Sequence, residues 1–455
     1  MKIIIIGDGK VGYNLAENLS RESDNDVTII DKNAEALRKT IENLDVRCIK
    51  GSGVSTKILL EAGVREADLL IAATSSDEMN MVCCLTAKKL GAEHTIARIR
   101  DPEYANELSQ LKTDLGLDLV INPERAVASE IVKLLEFPSA SSVEMFAKSR
   151  VEMIEIKVPA DMPIVGMPLK DISKKVSSSV LIGAVARGGD VIIPDGETVI
   201  QAGDLIYIIG RPSRIFRFCT QIGLHTQRVK NVMIVGGGRI AYYLTQYLDE
   251  SEIRVKIIES RADRCVELSE LLPRTLIIHG DGSDDKVLHS ENLSHMDAFV
   301  SVTGMDEENL MTALLAKWCG VPKVVAKINR TGYTQVIHDM GIDNLVQPKL
   351  ITANYILRYV RSLQNEMGNP VNTLYQILGE QAEAIEFIIS RPSKLLDTPL
   401  RKLPLVRGVL VAVIVRGSDI IIPHGNDCLR LGDHVVLITR GRPLSDLDDI
   451  LDNRN

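Results

Sequence analysis

Three glycines spaced Gly7-x-Gly9-x-x-Gly12 close the apolar run Ile3–Ile6 and open a stretch of helical periodicity, Val11–Leu19. That spacing suits one piece of chemistry, holding a pyrophosphate. The first glycine permits a tight turn, the second lets the backbone approach a phosphate with no Cβ in the way, and the third lets the helix pack closely. A helix starting there offers free N–H groups and a partial positive charge to an anion. Asp31 ends the next apolar run at about the 20-residue distance where a carboxylate accepts from ribose hydroxyls. A carboxylate there repels a 2′-phosphate and favours NAD over NADP. ATP and ADP carry the same free ribose and stay open.

Ligands of open α/β sheets lie beyond the carboxyl ends of the strands, so residues following later strands should line the same crevice. Gly51-Ser52-Gly53 follows the third strand, and Ala73-Thr74-Ser75 the fourth. Ser75-x-x-Glu78 also fits a capping box, a reading compatible with the first. Arg98 and Arg100 follow the fifth strand and could reach phosphates; a solvated edge or a subunit salt bridge is the competing reading.

The whole arrangement recurs about 229 residues later, Gly7 answering to Gly236. Val232–Val235 runs into Gly236, Gly237, Gly238, Arg239 and Ile240, with Ala241 in place of the third glycine. Glu259 answers to Asp31, Gly280-Asp-Gly282 to Gly51-Ser-Gly53, and Thr303 to Thr74. His279 precedes Gly280 at a strand end near the second crevice, where a lone histidine is more often structural than functional. Ala73-Thr-Ser-Ser-Asp-Glu-Met-Asn80 matches Val302-Thr-Gly-Met-Asp-Glu-Glu-Asn309. Beyond these stretches, Arg187-Gly-Gly-Asp matches Arg416-Gly-Ser-Asp, and Gly203-Asp matches Gly432-Asp.

The elements that must hold these residues read as an α/β chain of order A–B–A–B. The larger lobe alternates strands (Lys2–Ile6, Asp26–Ile30, Arg47–Lys50, Leu69–Ala73, Thr95–Arg98, Leu119–Ile121) with helices, which implies a parallel doubly wound Rossmann-like sheet. Each larger lobe ends in a helix after Asn122-Pro123 or Gln347-Pro348. Its apolar stripe (Val127, Ile131, Leu134, Leu135; Ile351, Tyr355, Tyr359) suits either core packing or a second subunit. The smaller lobe is mostly β, with Val151–Val158, Val180–Arg187, Asp190–Ile193 and Asp204–Ile209 between Gly, Pro and Asp turns. The division expected is 1–138, 139–225, 228–366 and 367–451.

Composition narrows the function. The formal charge of −8 argues against nucleic acid, which demands a basic face. Aromatics are only 4 %, so the cores must be aliphatic, as suits sheets buried on both faces. No apolar run approaches the roughly 20 residues of a spanning helix, and the N-terminal run leads into a glycine loop rather than a cleavage site. A cytoplasmic chain is expected. Seven cysteines without metal spacing read as small apolar residues of a reducing compartment. No metal site and no catalytic residue is expected. A dehydrogenase would need a proton acceptor at the nicotinamide, and the small lobes offer no nucleophile-plus-base pattern. Regulation is the preferred reading, and an NAD-dependent oxidoreductase with duplicated nucleotide domains is the alternative.

In motif order the chain resembles the TrkA family, cytoplasmic regulatory subunits of Trk-type potassium uptake systems. The resemblance rests on Met1-Lys-Ile-Ile-Ile-Ile-Gly-Asp-Gly-Lys-Val-Gly12, Thr74-Ser-Ser-Asp-Glu-x-Asn80, Ala97-Arg-Ile-Arg100 and Val235-Gly-Gly-Gly-Arg-Ile240, and covers nearly the whole chain. It implies tandem RCK domains that bind NAD (NAD+ or NADH), with ATP or ADP as further ligands. Gly7, Asp8, Gly9, Lys10, Val11, Gly12, Asp31, Thr74 and Arg98 match positions expected to touch nucleotide in the first lobe. Gly236 to Ile240, Glu259 and Thr303 do so in the second, where Ala241 and Lys327 depart from the first. It further implies a homotetramer of eight lobes, peripheral at the inner face of the membrane, docked on a potassium-translocating subunit and gating it by nucleotide exchange.

Overall fold

Ile3, Ile4, Ile5 and Ile6 are all buried, because the strand they form is central and helices cover both faces of its sheet. The computed structural model describes residues 1–21, 25–102, 104, 112, 114–137, 139–176, 179–224, 228–330, 336–337, 340–342, 344, 345–364, 371–377, 381–441, 444 and 446–452. The first large lobe holds β1 (Lys2–Ile6), β2 (Asp26–Asp31), β3 (Arg47–Lys50), β4 (Leu69–Ala72), β5 (His94–Arg98) and β6 (Leu119–Ile121). They lie in the order β3-β2-β1-β4-β5-β6, all parallel. The order reverses between β1 and β4, so the glycine loop after β1 and the turn after β4 face each other across a crevice.

The first small lobe is a five-stranded antiparallel sheet of β7 (Ser142–Phe146), β8 (Val151–Lys157), β9 (Val180–Arg187), β10 (Asp190–Ile192) and β11 (Leu205–Gly210), ordered β10-β9-β11-β8-β7. The second half repeats the plan. β12 (Asn231–Val235), β13 (Arg254–Glu259), β14 (Leu276–His279), β15 (Ala298–Ser301), β16 (Lys323–Lys327) and β17 (Asn344–Val346) run parallel as β14-β13-β12-β15-β16-β17. β18 (Val371–Ile377), β19 (Ala382–Ile388), β20 (Val409–Arg416), β21 (Asp419–Ile421) and β22 (His434–Arg440) form the second antiparallel sheet. The α/β class and the tandem plan read from the sequence are those observed. Strand β7 was not read from the sequence. The turn after it places Ala147, Lys148 and Ser149 at φ of 51°, 56° and 64° without a glycine, so it carries no turn signal.

The two halves are interlocked. The helix Pro123–Glu136, capped by the Asn122 side chain on Arg125 N, leaves its own lobe. Its apolar stripe (Val127, Ala128, Ile131, Leu134, Leu135) lies in one core with Ile234, Ile240 and Leu244 of the second large lobe. The helix Pro348–Gln364 answers by burying Ala353, Ile356, Leu357 and Val360 in the core of the first lobe, beside Leu15 and Ile29. The first stripe therefore faces the other half of the same chain; in the second helix the buried face is not the one read from the sequence, since Tyr355 is exposed, Ile351 packs against the second lobe's core and only Tyr359 lies against the first. At about 1.5–3 kcal/mol for each large side chain fully buried, each exchanged helix contributes on the order of 8 kcal/mol as an upper bound. The small lobes share a core as well: Phe146, Tyr207 and Ile209 pack with Val413, Val436 and Ile438. Among the described residues no helix is long and apolar enough to cross a membrane.

Candidate functional site

Gly7 and Gly236 stand at φ of +102° and +96°, in the left-handed region that a side chain would strain, and their N–H groups donate to Ile30 O and Ile258 O. A Cβ on Gly12 would lie 1.8 Å from Gly7 O, so this loop and its helix pass too closely for any side chain. A Cβ on Gly9 or Gly238 would meet nothing within 4 Å, so open space lies above each loop where a phosphate would approach. The helices Lys10–Ser20 and Arg239–Glu250 begin at Gly9 and Gly238 with no side-chain cap, leaving first-turn N–H groups for a ligand. The loops fit a dinucleotide backbone on these grounds.

Each loop is held by an acid. Asp31 Oδ2 accepts from Asp8 N at 2.6 Å and its Oδ1 from Asn33 N at 2.7 Å. Glu259 Oε2 accepts from Gly237 N at 2.7 Å and its Oε1 from Arg261 N at 2.9 Å. The carboxylates expected for ribose thus also pin the phosphate loops, and lone pairs remain for a sugar. At the second loop the walls enclose a cavity of about 390 Å³ bounded by Gly236, Gly237, Gly238, Glu259, Thr303 and Glu308, among others. A cavity of about 700 Å³ lies on the flank of the first loop, touching Asp8, Gly9, Lys10 and Thr40, and closed by Asn329 and Lys349 of the second half.

The turn after β4 is clasped by an asparagine that sequence reasoning left unassigned. Asn80, fully buried, accepts from Thr74 N (2.8 Å) and Thr74 Oγ1 (2.7 Å) and donates to Arg98 O (2.7 Å). Asn309 does the same for Thr303 N (2.8 Å) and Lys327 O (2.9 Å). Its signal was the identical residue at the repeat offset. Asp77 Oδ2 accepts from Arg100 N and Asp101 N, as Asp306 Oδ2 does from Asn329 N and Arg330 N. The helix cap is Ser76, which accepts from Met79 N at 3.1 Å, one residue beyond the expected Ser75.

Arg98 lies at the end of β5 and donates through Nη1 to Thr74 O at 3.1 Å, while its Nε is buried without a partner among the described residues. Burial, then repulsion from Arg100, lowers its affinity for the proton. Burial acts likewise on Lys327 at the matching place. Arg100 is taken by Glu124 of the same chain, Nε to Oε1 at 2.7 Å, an ion pair within the chain rather than between subunits. Ser52 is half-buried at the crevice side of β3, and Ala73 is buried against Gly7. Val11 and Ile240 face the packed side of their helices, in the cores of their lobes. His279 is exposed, with Nε2 3.1 Å from Ser260 O, and does not line the second cavity. Burial pushes the Cys48 thiol up to about 11 and Cys83 to about 12, which makes them poor nucleophiles. No group of three His, Cys, Asp or Glu able to hold a metal occurs among the described residues.

The fold and its paired crevices define a class: tandem RCK architecture, two Rossmann-like lobes each followed by an antiparallel lobe. Models of the TrkA-N domain match residues 3–123 and 232–348, and those of the TrkA-C domain match 153–223 and 384–452. The chain is similar to Trk system potassium uptake protein TrkA homolog 1 of Methanosarcina mazei, 37 % identical over 98 % of this chain and 99 % of the relative. It is 36 % identical to Trk system potassium uptake protein TrkA of Haemophilus influenzae, over 96 % of this chain and 95 % of the relative. It shares its fold with the GsuK RCK domain (TM-score 0.62, 19 % identity, 97 % of this chain and 92 % of that one). The GsuK channel bound to NAD gives a TM-score of 0.63 at 18 % identity, over 97 % of this chain and 77 % of that one. The chain belongs to the TrkA family.

Proposed function

We propose that this chain is a nucleotide-binding, cytoplasmic regulatory subunit that gates a Trk-type potassium-translocating membrane subunit. The relatives' names carry potassium uptake, and a solved channel of the same fold carries NAD. One observation supports regulation above all: each crevice is wired to the other half. Arg100, two residues beyond Arg98, is held by Glu124 in the first turn of the exchanged helix. Asn122 and Arg125 of that region hydrogen-bond Tyr243 and Tyr247 on the helix that opens at the second glycine loop. A ligand that reshapes one crevice therefore strains the contact to the other lobe.

In the first lobe the backbone of Gly7, Asp8, Gly9, Lys10, Val11 and Gly12 would cradle the pyrophosphate. Asp31 would take the ribose, and Ser52, Ala73, Thr74 and Arg98 would line the crevice. Gly236 to Ile240, Glu259 and Thr303 would do this in the second lobe. The nucleotide supplies charge and shape to a switch; only a difference in affinity between two conformations can move the equilibrium. NAD or NADH competes with ATP or ADP at the first site, with opposite effects. The lobes, divided at 1–138, 139–225, 228–366 and 367–451, assemble as a homotetramer docked at the inner face of the membrane.

Calorimetric titration of the full chain with NAD+, NADH, ATP and ADP, together with co-purification with a potassium-translocating subunit, tests this reading. Saturable binding and co-purification are expected. Failure of all four nucleotides to bind would overturn the ligand assignment, and turnover of NADH with a small substrate would favour the oxidoreductase alternative.

A further inference from the structure

Away from both glycine loops, a cavity of about 620 Å³ opens where three parts of the molecule meet: the exchanged helix Pro123–Glu136, the first small lobe and the second large lobe. Its walls are mostly aliphatic and aromatic, with Val132, Leu135, Ile154, Phe216, Leu248 and Ile253 prominent. Among these walls stands Glu152 of β8. Its side chain is only 5 % exposed, and its Oε2 has no hydrogen-bond partner among the described residues. A carboxylate oxygen shut away from water with no donor is costly, so buried polar atoms of this kind are normally paired.

The neighbouring charges do not settle it. Glu136, also on the cavity wall, repels it. Lys133 attracts it, but the Lys133 ammonium is engaged by Glu130 Oε2 at 2.9 Å and Glu144 Oε2 at 3.8 Å. Arg228 lies on the same wall and makes no ion pair with Glu152. Burial and the Glu136 repulsion together push the Glu152 carboxyl up to about 7. The matching residue of the second half, Glu383, is equally buried but does have an interacting partner. The vacant acceptor is thus particular to the first half, where the cavity is.

We propose that this cavity binds a small amphipathic amine, whose protonated nitrogen pairs with Glu152 and whose apolar body fills the space between the three parts. The volume falls within the range of small-molecule sites, which are mostly apolar with a few placed polar groups. A hard metal ion would require several converging oxygen ligands, and no group of three His, Cys, Asp or Glu able to hold a metal occurs among the described residues. An ammonium gives Glu152 a charge-assisted hydrogen bond in a site of low dielectric, the setting where such a bond is strongest. Because the walls belong to three parts, a bound amine fastens the first small lobe to the second large lobe.

The test is calorimetric titration of the full chain with octylamine, with octan-1-ol and octanoate as controls of equal apolar length. One saturable site per chain for octylamine is expected, with octanol at least tenfold weaker and octanoate weaker still. Glu152→Gln should bring octylamine down to the octanol level. Equal binding of amine and alcohol, an amine affinity untouched by Glu152→Gln, or no saturable amine binding would each overturn the proposal. If Glu152→Gln does not fold, Phe216→Trp, at a solvent-exposed residue of the cavity wall, serves instead. Octylamine, but not octanoate, should then shift the indole emission, and an unchanged spectrum contradicts the site.

Discussion

Asp8 in the first glycine loop and Gly237 in the second occupy matching places, as do Thr40 and Leu268 on the helices behind them. In the first loop the Thr40 hydroxyl donates to Asp8 Oδ2 at 2.7 Å, both side chains being buried. In the second, a Cβ on Gly237 would meet the Leu268 side chain at 2.6 Å and Glu259 Oε2 at 2.9 Å. One lobe fills the space with a hydrogen-bonded polar pair, the other with an aliphatic side chain that only glycine admits. The two loops therefore bring different electrostatics to the same backbone. The first carries a buried carboxylate beside Asp31, whereas at the second the Arg264 guanidinium donates to Gly237 O at 2.8 Å.

The departures from the motif, Ala241 and Lys327, leave the ligand of the second site open. Yet the second loop lies against a defined cavity, and its acid holds the loop as Asp31 holds the first.

The largest expected effect comes from the closest contact. Gly12→Val should collapse the first loop, costing about 3 kcal/mol or more through overpacking against Gly7 O. Nucleotide binding at the first site should fall at least a hundredfold while the second persists; Ala241→Gly should do little. Denaturant midpoints with calorimetry on each variant separate the two. Next comes the exchanged helix. Ile131→Ala should cost about 2–5 kcal/mol, since it empties a site in the core shared with the second lobe. If the stripe served its own lobe only, the thermal transition of the second lobe would not move.

The polar and aliphatic pairs can be exchanged. Thr40→Leu alone should destabilise by about 1–3 kcal/mol, because Asp8 loses its donor, and Gly237→Asp alone should be worse. Asp8→Gly with Thr40→Leu should recover most of the loss, a coupling readable by a double-mutant cycle. Additive effects would show that the two places are not coupled.

The smallest effect is a pH dependence. Burial raises the Asp8 carboxyl above its ordinary 3.8. The folded state then holds that proton more tightly than the unfolded one. Its contribution is present below the unfolded value and is lost as pH rises through the folded value. Asp8→Asn should remove this loss of stability as pH rises above 3.8, read from denaturant midpoints across acid pH, whereas the matching place in the second loop is Gly237, with no such group to remove.

These contrasts also show what the chain made legible before its structure. The alternation of strands and helices and the glycine loops follow from periodicity and from glycines with one task each, and the repeat doubled every signal. The exchange of helices did not follow, because a stripe such as Val127, Ile131, Leu134 and Leu135 says that a face is buried and not against what. Asn80 stands in a repeated motif, yet its role as a clasp leaves no signal, since a polar residue on a helix reads the same whether it faces water or ties two strand ends. The Asp8–Thr40 pair joins residues 32 apart and leaves no periodic trace.

The central claim is that both loops take a nucleotide and that the first reads it with Asp31. Calorimetry with NADH on the parent chain and on Asp31→Asn tests it most directly. The account predicts saturable binding in the parent and at least a tenfold loss of the first site in Asp31→Asn, with the second event unchanged. Binding that is indifferent to Asp31, or no binding by the parent chain, would contradict it.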